Sequence, residues 1–294
     1  MNNKILACID HSPYSTSVCD YAAWAAIRLG APLEFIHVLN RHPEKAQRID
    51  FSGSIGLGAQ ESLLEDLSNL DEQRSKVAQE AGRQLIEAAK KRVITSGVTD
   101  AEGRQRSGEL VETLVEMEEA ARLFVLGKRG ETAGQAVQHL GSNLERVARG
   151  LHRPILVVTE AFQVPEKFMI AFDGSATTRK GVEMIASSPL FRDMPCHVVM
   201  AAARTAATEE QLQWAQNTLQ GRGFEVVTAM EDGDAEKVLS DYVKDQQIDV
   251  LIMGAYGHSR IRQLLVGSTA TTMLRTSSIP VSYTHLTLPT TPYV

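Results

Sequence analysis

At 294 residues the chain is long for one domain and ample for two, each with a core of its own. Apolar residues at 43%, charged residues at 22% and a net charge of −6 with no Lys/Arg cluster describe an ordinary globular protein and argue against a nucleic-acid-binding surface. No apolar stretch approaches the roughly 20 residues of a membrane span, and the apolar run at 5–9 is too short for a signal peptide, so the expected setting is the cytoplasm, without membrane or nucleic-acid partners. Cys8, Cys19 and Cys196 form no Cys-x-x-Cys pair and read as reduced, buried thiols.

In chain order, residues 5–9 form a short apolar run followed by Asp10-His-Ser12, a helical stretch at 15–29 and a second apolar run at 33–39. An insertion spans about 40–71. Its front, Phe51-Ser-Gly-Ser-Ile-Gly-Leu-Gly58, follows no strand and lacks the dinucleotide spacing, so it is not taken as a nucleotide loop. From 59 to 95 the pattern turns helical, with Leu63, Leu64, Leu67 and Leu70 continued by Val77, Ala81, Leu85 and Ala88. A long helix covering the sheet is expected here, with an interaction arm or dimer contact as the alternative. The 40–95 region is thus a helical insertion in the first half. A helix at 109–120 and apolar runs at 123–126 and 155–158 complete that half, and a linker lies near 161–166.

The second half repeats the first. Residues 168–172 lead into Asp173-Gly-Ser175, as 5–9 lead into Asp10-His-Ser12, at an offset that also places Pro32 on Pro195 and Arg41 on Arg204. Apolar runs at 198–202, 226–230 and 250–253 alternate with helical stretches at 209–220 and 235–246. Short runs apolar on both faces suit parallel strands with helices on each side. The expected fold is α/β, two tandem doubly wound five-stranded parallel-sheet domains at 1–160 and 167–281.

Each half carries a glycine signature where its fourth run ends. In the second it is Gly254-Ala-Tyr-Gly257, nine residues, then Gly267-Ser268; in the first it is Gly127-Lys-Arg-Gly130, ten residues, then Gly141-Ser142. Strand-end glycines let backbone lie against a polyanion, and the free N–H groups of a helix start bind negative charge. The Ser268 and Thr269 hydroxyls add donors, and His258, Arg260 and Arg262 add charge. Asp173 and Gly254 end the strands that border the winding reversal, where open α/β sheets hold ligands.

This ordered set, Asp at the first strand end with Gly-x-x-Gly and Gly-Ser, resembles the universal stress proteins, and both halves resemble that domain over almost the whole chain, as in tandem E-type members. The resemblance implies strand order 3-2-1-4-5 and ATP or another adenine nucleotide, with Mg²⁺ if it accompanies ATP. It places Ala171, Phe172 and Asp173 around base and ribose, Ala201 at adenine, and Met253, Gly254, Tyr256, Gly257, Gly267, Ser268 and Thr269 at ribose and phosphates. The first half offers Asp10, Val38, Leu126, Gly127, Arg129, Gly130, Gly141, Ser142 and Asn143, but its loop is one residue longer and 131–139 carries Glu131 with no Arg or Lys. Lys128 and Arg129 partly compensate. The second site is therefore the stronger expectation.

The chain has no Gly-x-x-x-x-Gly-Lys-Ser/Thr and no Ser-Gly-Gly-x-Asp-Ser loop, so no dedicated catalyst is expected, at most slow ATP hydrolysis. The family implies a nucleotide-gated regulator in stress response. The alternatives are an interaction protein with one or both sites empty, or a small hydrophobic ligand in the crevice. The halves are expected to pair within the chain, and a homodimer is allowed. Residues 282–294 read as an artefactual tail and are set aside, because Ser282 and Thr284 replace apolar Leu156 and Val158 of the first half; a strand is still open to them, since Tyr283, Thr284 and Thr287 favour one and Val281 and Tyr283 alternate.

Overall fold

The computed structural model describes residues 4–39, 57–130, 142–254 and 268–284. The first half runs β1 (Lys4–Cys8), α1 (Ser15–Leu29), β2 (Leu33–Leu39), α2 (Leu57–Thr95), β3 (Ala101–Ser107), α3 (Leu110–Met117), β4 (Ala121–Gly127), α4 (Ser142–Gly150) and β5 (Ile155–Val158). The second runs β6 (Phe168–Ala171), α5 (Ala176–Ser187), β7 (Cys196–Ala201), α6 (Ala206–Gln220), β8 (Val226–Glu231), α7 (Ala235–Asp245), β9 (Val250–Gly254), α8 (Ser268–Thr276) and β10 (Val281–Thr284).

The strands form one ten-stranded sheet in the order β3-β2-β1-β4-β5-β10-β9-β6-β7-β8. Each half alone has the expected order 3-2-1-4-5, with parallel neighbours throughout. The halves join at an antiparallel pair, Val157 opposite Val281, Leu156 opposite Ser282 and Ile155 opposite Tyr283.

The apolar runs alternate between two cores. Ile5, Ala7, Phe35, Val125, Phe168 and Ile170 meet α1, α5 and α6 on one face, while Leu6, Ile36, Phe124, Met169 and Leu251 meet α3, α4, α7 and α8 on the other. Both faces of each central strand are thereby covered. Glycines close or open the helices: Gly30 ends α1 at φ +56, and Gly108 and Gly233, at φ +144 and +153, occupy equivalent turns before α3 and α7. Burial pushes the Cys8 and Cys19 thiols up to about 12 and raises that of Cys196 as well, so all three remain protonated.

Three elements depart from the sequence reading. β3, with the sequence Ala-Glu-Gly-Arg-Gln-Arg-Ser, is too polar to announce itself as a strand, yet pairs with β2 along its full length. It is an edge strand, and its charges belong to that position: Glu102 bonds Lys4 Nζ at 2.5 Å, and Arg104 reaches the buried carboxylate of Glu34 at 2.9 Å. Among the described side chains of α2, those from about residue 81 onward cover the sheet. Gly82, Ile86, Ala89 and Val93 are buried, whereas residues 68–80 are exposed at every position. Two glycines permit the close approach: a Cβ on Gly82 would come within 2.5 Å of both His37 and Gln105, and one on Gly103 of β3 within 2.1 Å of Ile86 Cγ2. Finally, the boundary at 281 falls inside a strand. Ser282 and Tyr283 are buried in β10, at the centre of the sheet, and residues 285–294 lie outside the described residues.

Candidate functional site: two crevices at the strand reversals

In each half the winding reverses between the first and fourth strands, which opens a crevice at their carboxyl ends. In the first half Ile9 N–H donates to Ile36 O at 3.0 Å, carrying the extended backbone to Asp10. Asp10 Oδ1 accepts from Ser12 N–H at 3.0 Å, and Ser15 Oγ donates to Asp10 O at 2.6 Å, which turns the chain into α1. β4 ends at Gly127 directly beneath that turn: a Cβ on Gly127 would lie 2.7 Å from Tyr14 Cβ. A Cβ on Gly130 would lie 3.2 Å from Asp10 Oδ2, so Asp10, Gly127 and Gly130 share one small space. Val38 and Arg129 are half-buried, Leu126 is buried, and α4 begins at Ser142, followed by Asn143. Gly141 lies outside the described residues.

Lys128 does not serve this crevice. Its N–H donates to Val158 O at 3.0 Å, and its ammonium donates to Ser277 O, just past α8, at 2.6 Å. Burial, with the neighbouring positive charge of Arg129, lowers the Lys128 pKa to about 8.

In the second half Phe172 N–H donates to Val199 O at 2.9 Å, and Asp173 follows. Asp173 Oδ1 accepts from Ser175 N–H at 2.9 Å and from Thr178 Oγ1 at 2.7 Å, while Ser175 Oγ caps α5 by accepting from Thr178 N–H. Gly174 between them sits at φ +73, and a Cβ there would meet Gln211 Oε1 at 1.9 Å. Gly254, the counterpart of Gly127, is less tightly held, the nearest atom to a built Cβ being Thr177 Cγ2 at 3.3 Å. Ala171 and Ala201 are half-buried at their strand ends and Met253 is buried. α8 begins at Ser268, with Thr269 in its first turn. Tyr256, Gly257 and Gly267 lie outside the described residues, as do His258, Arg260 and Arg262.

A brace that the sequence reading does not contain holds this second turn. The Phe172 ring is buried and stacks on Trp214, with centroids 6.3 Å apart and planes 17° off parallel. Arg179 lies over the Trp214 ring, its Cζ 4.5 Å from the centroid, and its Nε donates to Gly174 O at 3.2 Å. The Phe172 side chain thus faces the core, and only its backbone borders the crevice. The available signal was the rarity of tryptophan, two in the chain, with one placed on a helix otherwise rich in Gln, Glu and Thr.

The first turn is built differently. His11 stands where Gly174 stands, and it is not among the described residues with positive φ. Its ring packs edge-on to His37 at 5.7 Å. Ser12 Oγ is buried without a hydrogen-bond partner, whereas Ser175 Oγ makes a cap. One strand further out, a cleft of about 460 Å³ opens between α2 and the ends of β2 and β3, walled by Leu39, Arg83, Gln105 and Ser107 among others. It is separate from the strand reversal. Among the described residues there is no group of three or more His, Cys, Asp or Glu side chains able to hold a metal, and no helix long and apolar enough to cross a membrane.

The model of the Universal stress protein family matches residues 1–159 and again 165–284. A universal stress protein from Synechocystis sp. is 36% identical over 281 residues, covering 95% of this chain and 98% of that protein. Among solved structures, a universal stress protein from Archaeoglobus fulgidus superposes with a TM-score of 0.67 at 20% identity, covering 97% of this chain and 98% of that one. A putative universal stress protein from Pseudomonas aeruginosa gives 0.61 at 15% identity, covering 96% and 92%. The double match across two halves of one fold, and the identity along nearly the full length, lead to one conclusion: the chain belongs to the universal stress protein family, as a tandem member.

Proposed function

We propose that the chain binds an adenine nucleotide, ATP foremost, in the second crevice, and that occupancy there regulates its contacts in a stress response. The observation that supports this most directly is Thr178, which links the two strand ends at the reversal. Its hydroxyl and Ser175 N–H fix the Asp173 carboxylate, its Cγ2 lies 3.4 Å from a Cβ built on the side-chain-free strand end Gly254, and the chain resumes as a helix at Ser268. In this reading Asp173 accepts from the ribose hydroxyls and the backbone at Ala171 and Phe172, with Ala201, borders the base. Met253, Gly254, Tyr256 and Gly257 pass beneath ribose and phosphates, and Gly267, Ser268 and Thr269 supply N–H and hydroxyl donors at a positive helix end. Mg²⁺ would enter with the phosphates, since the described residues offer it no carboxylate cluster. The chain acts in the cytoplasm as a binding protein, not as a dedicated catalyst.

A different reading suits the first crevice. With Lys128 directed to Ser277 and His11 in place of a left-handed glycine, Asp10, Val38, Gly127, Arg129, Gly130, Gly141 and Ser142 form a weaker nucleotide site, and that half works chiefly as an interaction module.

Mass spectrometry of ligand released from the natively purified chain tests both readings. Adenine nucleotide at about one equivalent, lost in Asp173→Ala and in Gly267→Val, is expected. Unchanged nucleotide content in both variants would refute the second-half assignment, and a released apolar compound in place of nucleotide would replace it.

A further inference from the structure

The cleft of about 460 Å³ between α2 and the ends of β2 and β3 is of a size that holds a small molecule. Its rim is one face of α2, where Lys76, Gln79, Glu80 and Arg83 recur at three- and four-residue spacing. Its wall is the sheet edge, where His37 lies beside Gln105 and Leu39 beside Ser107 on the face that α2 covers. At the inner end two buried polar atoms have no hydrogen-bond partner among the described residues, His37 Nε2 and Gln105 Nε2. His37 is only 4% exposed. Its Nδ1 lies 2.9 Å from Ile9 O, a carbonyl that can only accept, so Nδ1 carries the proton and in the neutral ring Nε2 is an acceptor. Gln105 Nε2 is a donor. Both lie within 2.9 Å of the Cβ position that Gly82 leaves free, so an unused acceptor and an unused donor face one space.

Burying either atom unpaired is costly. A hydroxyl satisfies both at once, because it donates one hydrogen bond and accepts others. The rim decides the charge of the ligand. Lys76 pairs with Glu72 at 2.7 Å and Arg83 with Glu80 at 2.8 Å, so each cation already has a carboxylate. What the cleft then offers is neutral: the amides of Gln79 and Gln105, the Ser107 hydroxyl and the apolar side chain of Leu39. We propose that this cleft binds a small uncharged polyol or sugar, one hydroxyl seated between His37 Nε2 and Gln105 Nε2. Gln79 and Ser107 meet its outer hydroxyls, and Leu39 meets its carbon skeleton. The site stands apart from both strand-reversal crevices and does not depend on nucleotide.

Saturation-transfer NMR on the full chain with glycerol, glucose and sucrose tests it. Thermal shift is unsuited, because sugars stabilise any protein by exclusion from its surface. Glucose or sucrose is expected to saturate in the millimolar range, and Gln105→Leu, close in volume, to weaken it at least about tenfold. Gln79→Leu changes an exposed position of α2 that folding does not need, and is expected to weaken binding about threefold. Neither ATP nor inorganic phosphate in excess should displace the sugar. Absence of a saturable signal from all three compounds overturns the site and leaves the two atoms to a buried water. Binding unchanged by Gln105→Leu, or by Gln79→Leu should the first variant not fold, also overturns it. Displacement by phosphate would place an anion in the cleft and overturn the ligand class. Displacement by ATP would move the sugar to a strand-reversal crevice and overturn the location.

Discussion

The ammonium of Lys128 donates to the carbonyl oxygen of Ser277 at 2.6 Å, so the turn that leaves the first crevice grips the end of the helix that starts at the second. A cation at a helix C-terminus is favourably placed, and here it ties together two segments 149 positions apart. We predict that Lys128→Met, read by titrating nucleotide into the purified chain, weakens binding at the second crevice several-fold without touching that site. An unchanged affinity would show that α8 is positioned without this contact.

The same lysine carries a pH signature. Its pKa falls to about 8 in the fold, from an ordinary value of 10.5, so between these values the unfolded chain binds more protons and stability from this group rises with pH. Below about pH 8 the burial penalty is fully present. The difference in unfolding free energy between Lys128→Met and wild type should therefore shrink from pH 8 to 10.5. Taking the difference cancels the thiols, which titrate nearby in the opposite sense. A flat difference would sink the assignment.

Gly127 and Gly254 hold equivalent positions with unequal room. Gly127→Ala forces a Cβ to 2.7 Å from Tyr14 Cβ, an atom fixed by the backbone, and is expected to cost about 1–3 kcal/mol. Gly254→Ala meets its nearest neighbour at 3.3 Å and should cost less than about 1 kcal/mol. Urea unfolding of the two variants decides, and equal losses would contradict the geometry.

At Gly174 backbone and packing both forbid a side chain, but not equally. Gln211 Oε1 is the end of a flexible side chain and can move, while φ +73 cannot be relieved. Gly174→Ala is expected to cost about 1–2 kcal/mol in thermal unfolding, and adding Gln211→Ala should restore little of it. Full rescue would mean that the contact, not the dihedral, matters.

Ser282 is buried in β10 between Leu156 and Ile252 on the neighbouring strands. Ser282→Val, which suits both strand and neighbours, should raise stability by about 1 kcal/mol. A loss of stability would indicate that the hydroxyl has a partner worth more than the apolar contact.

Most of the architecture is legible in the residues because buried parallel strands are written as uninterrupted apolar runs: 33–39 and 155–158 coincide with β2 and β5 to the residue. Helix starts at Ser142 and Ser268 follow the Gly-Ser pairs for the same local reason. β3 escaped because an edge strand has no need of apolar residues. β10 is only half legible: Val281, Tyr283 and Thr284 suit a strand, but Ser282 and Thr284 break the apolar run, and only tertiary contact with β5 and β9 on either side decides it. At the site, Asp173 and Gly254 are visible as a pattern, but the Phe172–Trp214–Arg179 brace links residues more than 30 positions apart and no local rule predicts it. The departure of Lys128 from the first crevice is likewise a contact between halves.

The single antiparallel step between β5 and β10 decides how the molecule meets its surroundings. Every strand of one half points opposite to every strand of the other, so the two crevices open on opposite rims of the sheet. A ligand at one rim would not touch a ligand at the other. Communication between the rims would run through the body of the protein, along a helix such as α8, which starts beyond the end of β9 and finishes against Lys128 at the end of β4.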